Sequence, residues 1–194
     1  MLGLRRIIVW LCRIGRCRGF GVQSPWAYRM VRYVINEHYP YYAYEPLARA
    51  YPAKDTPTRK LRELCLRLAN YVRPHTVAEY GNADEAFEAY VKAGCRAAEY
   101  VKMACEGATG KAPAPDFALI APFDGLAEAF EAVASVAEDG TVVMLLGIRR
   151  DGRARRLWRR IVDGREGVVT FDLYYCGLVF FDGKRYKLNY IINF

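Results

Sequence analysis

The chain has 194 residues, of which 53% are hydrophobic, and this is enough for one substantial core and a single compact unit. Its six cysteines are scattered without any Cys-x-x-Cys pair, and only two histidines accompany them. This pattern argues against a disulfide framework or a zinc site and favours reduced thiols in a cytoplasmic protein.

The positive charge is concentrated in two segments. Residues 1–32 carry +7 and residues 149–165 carry +6, so the rest of the chain carries −5 within the total of +8. The arginines from Arg149 to Arg160 predict a surface that attracts nucleic acid, an anionic surface or an acidic partner. Solubility alone is an equally good interpretation of these charges.

The first residues predict an amphipathic helix. Its apolar stripe consists of Leu4, Ile7, Leu11 and Ile14. Its arginine face, on the other side of the helix, consists of Arg5, Arg6, Arg13 and Arg16. The apolar run is too short for a signal peptide or for the roughly 20 residues that span a bilayer. We expect this helix to pack on its own domain or on a second subunit. Binding to a membrane surface, with Trp10 at the headgroups, is the less common alternative.

Further helices are predicted before residue 74. Ser24 and Pro25 form a helix start, and a later helix capped by Thr58 runs to about Tyr71. Its predicted outward residues are Arg59, Lys60, Arg62 and Arg67. The tyrosine-rich run 39–44 predicts a packed connection, with pocket lining or base stacking as the alternative. Residues 1–73 are therefore expected to form a helical extension on a main domain of residues 74–194.

The main domain opens with a strand, a glycine turn and a helix. The short apolar segment 76–80 follows Pro74 and ends at Gly81, and helical periodicity begins near Ala83. Such a unit is typical of the nucleotide-binding start of a doubly wound sheet. The carboxylate of Glu79, at the strand tip, is expected to point into the crevice.

Strands and helices alternate after this unit. We expect strands within 98–105, 116–121 and 141–146, with helices at 126–136 and 153–162. This order predicts an α/β fold with a parallel sheet. The last three strands, at 168–174, 177–181 and 187–193, leave no room for helices, so the sheet should finish antiparallel.

Two segments resemble a known family. The segment from Arg18 to Trp26, Arg-Gly-Phe-Gly-Val-Gln-Ser-Pro-Trp, resembles the Gly-His-Gly-Ile-His-Ser-Pro-Phe segment of a bacterial family of class I S-adenosylmethionine (SAM)-dependent methyltransferases. The segment from Asp172 to Phe181, together with Trp158-x-x-Ile161, is similar to the same family's tail, Asp-Leu-Phe-x-x-Gly-Leu-Val-Phe-Phe. The resemblance covers nearly the whole chain. It implies a seven-stranded, Rossmann-like methyltransferase fold with SAM at the carboxyl ends of the first strands.

The resemblance also implies cofactor-binding residues. The family's first loop reads Glu-x-Gly-x-x-x-Gly, which here matches Glu79 and Gly81 but places Glu85 at the second glycine. Glu85 would oppose SAM through its bulk and its repulsion of the methionine carboxylate. Glu106 is the candidate that accepts from the ribose hydroxyls, and Glu99 is the reserve.

Other carboxylates of the family are missing at the strand ends. The segments ending at Ala121 and Gly147 lack the acids that hold a divalent cation in related metal-dependent O-methyltransferases, so we predict no metal. No catalytic base can be named, because His38 and His75 are expected at the surface.

Two functions therefore remain open. One is SAM-dependent methyl transfer to oxygen or nitrogen of a small molecule. The other is a degenerate, non-catalytic methyltransferase-fold protein that binds a partner through its arginines. An RNA or protein methyltransferase is a third alternative that only the arginines favour.

Overall fold

The computed structural model describes residues 2–16, 21–103, 114–164 and 168–194. The α-helices are α1 (Leu2–Arg13), α2 (Pro25–Met30), α3 (Tyr44–Ala50), α4 (Thr56–Val72), α5 (Ala86–Gly94), α6 (Leu126–Val136) and α7 (Gly152–Gly164). A 3-10 turn (Ile14–Arg16) continues α1, and a π-helical segment (Val31–Ile35) continues α2. The strands are β1 (Thr76–Tyr80), β2 (Glu99–Lys102), β3 (Phe117–Ile120), β4 (Val142–Leu146), β5 (Val168–Asp172), β6 (Cys176–Phe181) and β7 (Leu188–Ile191).

The seven strands form one sheet in the order β2-β1-β3-β4-β6-β5-β7. Among these strands only β6 is antiparallel to its neighbours, lying between β4 and β5. The predicted Rossmann-like methyltransferase sheet, mostly parallel with an antiparallel C-terminal end, is confirmed. The connection after β6 passes the amino end of β5, and the last strand, β7, then pairs with β5 in parallel.

Helices cover both faces of the sheet. Because side chains alternate along a strand, Val77 packs on one face with α2, α4 and α5, while Ala78 packs on the other with α6 and α7. The first layer joins Met30, Val31 and Val34 of the N-terminal helices to the strands of the sheet. Helical residues from before residue 74 therefore belong to the same hydrophobic core as the sheet.

Two arginines of α4 are buried, which contradicts their predicted outward position. Arg62 is 4% exposed and Arg67 is 5% exposed. The guanidinium of Arg67 donates to the carbonyls of Val34 (2.6 Å) and Ile35 (3.1 Å) and to the hydroxyl of Tyr44 (2.9 Å). These acceptors lie at the end of the π-helical segment and at the start of α3. The hydrophobic pattern missed this role because it does not register carbonyls that need a donor.

The cap of α4 also differs from the prediction. Asp55, rather than Thr58, is the N-cap, and its carboxylate accepts from the backbone N–H of Thr58 at 2.8 Å. At α2 the predicted cap is confirmed, since Ser24 Oγ accepts from the N–H of Ala27 at 3.3 Å.

The first helix contacts the domain through a charge rather than through its apolar stripe. Arg13 is 8% exposed and donates to the Asp172 carboxylate (2.9 Å) and to the carbonyls of Asp172 (3.1 Å) and Ile192 (3.2 Å). The predicted arginine face thus turns Arg13 towards the domain, whereas the predicted apolar stripe is exposed. In the described ranges, no helix is both long and apolar enough to cross a membrane.

Among the α4 residues that were predicted to face outward, Arg67 should cause the largest loss of stability when it is replaced. Arg67→Met leaves three acceptors without their donor, so we expect a loss of about 3 kcal/mol in the free energy of unfolding, measured by urea denaturation. The matched control is Arg59→Met on the same helix, whose partly exposed pair with Glu63 should contribute within about 0.5 kcal/mol. Equal losses for the two variants would contradict a structural role for Arg67.

Candidate functional site

The turn after β1 is held by a buried carboxylate. Glu79 is 3% exposed, and its Oε1 accepts from the N–H of Ala83 at 2.9 Å. Its Oε2 accepts from the hydroxyl of Tyr100, on β2, at 2.6 Å. Between these anchors Gly81 adopts φ +78°, a left-handed conformation that favours glycine. Glu79 therefore closes the loop on itself and ties it to the neighbouring strand.

The groups around Glu79 keep their protons. Burial, together with the hydrogen bond to Glu79, raises the pKa of Tyr100, so its hydroxyl remains a donor. Burial also raises the pKa of the Cys65 thiol, on the adjacent face of α4. Glu79 thus receives hydrogen bonds from neutral partners inside the protein.

A second charge holds the other end of the loop. Asp84 accepts from the guanidinium of Arg62 and, through Oδ1, from the N–H of Ala86 at 2.9 Å. Partial burial opposes ionisation, but these hydrogen bonds prevail and lower the pKa of Asp84. Arg62 also donates to the carbonyl of Tyr51 at 2.7 Å. The start of α5 is therefore fixed to both α3 and α4.

The crevice beside this loop lies where the chain order reverses. From β1 the sheet extends to β2 on one side and to β3 on the other, and Tyr80 pairs with Ile120 at the carboxyl end. Open α/β sheets bind ligands at such a switch point.

An aromatic ring packs into this crevice. A Cβ built on Gly81 would lie 2.8 Å from Cδ1 of Phe123 and 3.0 Å from the carbonyl oxygen of Ala121. A Cβ on Gly125 would lie 2.6 Å from Cε2 of the same ring. Phe123 is therefore wedged between two glycines, and its ring occupies the space above Gly81.

The sequence-predicted site residues are only partly brought together. Glu79 and Gly81 adjoin, and Glu85 is exposed at the N-cap of α5. Glu106 lies outside the described residues. Glu99 pairs with Thr76 at the opposite, amino end of β1, so it is a poor reserve candidate for this crevice.

Neither histidine reaches the crevice. His75 is exposed at the amino end of β1, where its N–H donates to Asp116 at 2.7 Å, and His38 is exposed before α3. Within the described ranges, no group of three or more His, Cys, Asp or Glu residues is placed to hold a metal ion.

Three residues of the site were not singled out from the sequence. Tyr100 lies on β2, and nothing in the local sequence distinguishes it from other tyrosines found in strands. Phe123 follows Pro122 in a short turn, and the glycine at 125 was its only signal. Arg62 was predicted to face outward, although Asp84, two residues before α5, offered it a partner.

Three solved structures similar to this chain are methyltransferases. An O-methyltransferase from Bacillus cereus in complex with SAH is 16% identical, with a TM-score of 0.52 over 76% of this chain and 94% of that one. The O-methyltransferase TomG from Streptomyces achromogenes, in complex with SAM, is 14% identical, with a TM-score of 0.50 over 75% and 92%. A SAH-bound methyltransferase from Podospora anserina is 13% identical, with a TM-score of 0.53 over 82% and 97%.

These similarities establish the methyltransferase fold. No protein-family model matches the sequence, and no curated protein matches it. The finer resemblance to a bacterial subfamily stays a prediction, since a shared fold does not determine function.

The wedge between Gly81 and Phe123 can be tested by stability measurements. Gly81→Ala should cost about 2 kcal/mol or more in the free energy of unfolding, because left-handed strain adds to the contact with Phe123. Gly140→Ala is the control for strain alone, since Gly140 has φ +100° and nothing within 4 Å of its Cβ position.

In a Phe123→Ala background, the cost of Gly81→Ala should fall towards that of Gly140→Ala. Urea denaturation of the single and double variants gives the coupling energy. An unchanged cost in that background would show that the ring does not restrict Gly81.

Proposed function

We propose that this chain binds SAM at the carboxyl ends of β1 and β3 and transfers its methyl group to oxygen or nitrogen of a small molecule. The observation that carries this proposal is the loop of Gly81, fixed by the buried Glu79 at the switch point of a methyltransferase sheet. A glycine in this position lets the backbone approach a ligand closely. Solved structures of this fold contain SAM or SAH.

Within this proposal Glu79 is a positioning residue. Both of its oxygens are used inside the protein, so it acts on a ligand by fixing the loop rather than by direct contact. Gly81 provides the close approach, and Glu106 is proposed to accept from the ribose hydroxyls. Bound SAM would supply an activated methyl group, and the protein's part is to orient the acceptor and exclude water.

The loop backbone fits such a ligand, provided that the Phe123 ring turns away from Gly81. Phe123 is only partly buried and packs at the margin of the layer formed by α6 and α7. Rotation of this side chain opens the space above the loop without breaking β1 or β3.

The second candidate is a non-catalytic protein of the same fold. It is favoured by the same wedge, since Phe123 already fills the crevice and Glu79 already has its partners. The carboxyl end of β3, at Ala121, also lacks an acid. Direct measurement of SAM binding separates the two candidates.

We also propose a cytoplasmic location. The thiols of Cys65 and Cys176 are free and buried, and burial raises the pKa of both. Such thiols are inert and suit a reducing compartment.

SAM binding should respond to Glu85. A charge about 5 Å from the ligand carboxylate contributes roughly 3 kcal/mol of repulsion at an effective dielectric of 20, and solvent reduces this to about a third. Glu85→Gln and Glu85→Gly should therefore tighten binding by about fivefold to tenfold in calorimetric titration. Glu79→Ala should weaken binding because it releases the loop.

A remote carboxylate provides the control. Glu138→Gln removes the same charge in the connection before β4, at the amino edge of the sheet, and should leave the affinity unchanged. If neither the parent nor Glu85→Gly binds SAM, the non-catalytic candidate replaces the first.

We further propose that residues 1–73 and 74–194 unfold as one unit. The shared core supports this, since Met30 and Leu68 pack in the same cluster as Phe117 and Phe171. Calorimetry should give one transition whose calorimetric and van't Hoff enthalpies agree. Two resolved transitions would separate the extension from the domain.

A further inference from the structure

The two arginine-rich segments of the sequence meet in the fold. Asp172, at the carboxyl end of β5, binds Arg13 of α1 through Oδ1 (2.9 Å) and Arg149 through Oδ2 (2.6 Å). Both guanidinium groups also lie over the ring of Tyr174, at 5.3 and 5.4 Å from its centroid. Asp172 thereby joins one arginine from each of the two basic segments of the sequence, residues 1–32 (+7) and residues 149–165 (+6).

The apolar stripe of α1 faces outward at this end. Because Arg13 turns its own side of the helix towards β5 and β7, the apolar side chains of α1 lie on the opposite, exposed side. The exposed apolar side chains of α1 and of the 3-10 turn that continues it are between 47% and 56% exposed, and they are Ile7, Ile8, Trp10, Leu11 and Ile14. A further apolar residue, Ile191, lies beside Asp172 at the carboxyl end of the edge strand β7 and is 41% exposed.

Exposed arginines of α7 flank the same region. Arg155 and Arg159 line a cavity of about 270 Å³ together with Arg149, Asp172 and Ile191. On the other side of α7, Arg153 and Arg160 are paired with Asp124 (3.1 Å) and Glu131 (3.5 Å). Arg155 and Arg159 form no such pair with an acid of the described ranges, so their charge is available to a partner.

We propose that this end of the molecule docks on an anionic lipid bilayer, with the apolar stripe of α1 in the headgroup region and the α7 arginines on the lipid phosphates. An amphipathic helix with a tryptophan and a basic flank has the composition of an interfacial helix. Neither feature alone gives firm attachment, but apolar burial and electrostatic attraction together do.

Charge decides between this partner and the two others that the surface suggests. A second copy docked through the same face would bring two strongly positive surfaces together, which is unfavourable. A nucleic acid would satisfy the arginines but would leave five exposed apolar side chains without a function. An anionic bilayer satisfies both components.

The test is co-sedimentation of the full-length protein with vesicles. Vesicles of phosphatidylcholine and phosphatidylglycerol in about a 7:3 ratio should bind it, whereas pure phosphatidylcholine should bind it more than tenfold more weakly. Binding should fall as salt is added, and the fluorescence of Trp10 should shift to the blue on binding. The shift should disappear in Trp10→Phe while sedimentation persists.

Paired variants separate the two components of the surface. Leu11→Glu should reduce binding more than tenfold, and so should Arg155→Glu with Arg159→Glu, since each basic residue near the bilayer contributes about fivefold. The controls are Val136→Glu on α6 and Arg49→Glu on α3, which place the same changes on exposed positions elsewhere and should alter binding by less than about twofold. Circular dichroism of each variant serves as the check that it is folded.

Four outcomes would overturn the proposal. Equal binding to neutral and anionic vesicles removes the role of charge, and unchanged binding by Leu11→Glu removes the role of the stripe. Dimerisation in sedimentation velocity that Leu11→Glu abolishes, without vesicle binding, would assign the face to a second copy. Binding to a DNA or RNA duplex that depends on Arg155 and Arg159 but not on Leu11, again without vesicle binding, would assign it to nucleic acid.

Discussion

The arrangement of the chain at the C-terminal side of the sheet depends on the carboxylate of Asp172. Burial opposes its ionisation, but the charge and hydrogen bond of Arg13, the N–H of Tyr174 and the charge of Arg149 prevail and lower its pKa. A buried carboxylate without such partners costs several kcal/mol. The partners are therefore required, and they come from the first helix, from the loop after β4 and from the strand's own turn. The carboxylate of Asp172 therefore fixes the positions of α1, of the loop after β4 and of the turn after β5.

The sign of this shift sets its dependence on pH. Because the pKa of folded Asp172 lies below its ordinary value of 3.8, its contribution to stability is complete above that value. The contribution is lost as the pH falls through the lower pKa of the folded state. The attachment of α1 is thus stable at neutral pH and is weakened only in acid.

Buried charges also fix neighbouring segments of the chain on the opposite side of the sheet, around β1 and β2. Glu79 and Arg62 each contact two separate parts of the chain, and Arg67 binds the carbonyls at the end of a π-helical segment. Each satisfies polar groups that the hydrophobic core would otherwise leave unpaired. The loop at Gly81 is therefore fixed by hydrogen bonds. Phe123, in contrast, is held in the crevice by van der Waals contacts.

Hydrophobic periodicity predicted the elements because it reports which faces are buried. The strands that end at Tyr80, Ile120 and Leu146, the sheet class and the helix α6 follow from it directly. It assigned Arg62 and Arg67 to the outward face because it treats every charge as exposed, and it cannot register partners that are distant in sequence. Of the site, Glu79 and Gly81 followed from the turn, whereas the ring of Phe123 depends on packing between two loops that no local pattern encodes.

The two edges of the sheet also affect how the protein behaves among other chains. Both edge strands, β2 and β7, have only four residues. Long, flat edges with free N–H and C=O groups recruit further strands and promote aggregation. On β2 the terminal residues are the charged Glu99 and Lys102, and on β7 Asn189 is engaged by Thr170 at 2.7 Å. Edges of this length offer an incoming strand few hydrogen bonds, so this sheet resists growth by strand addition at either side.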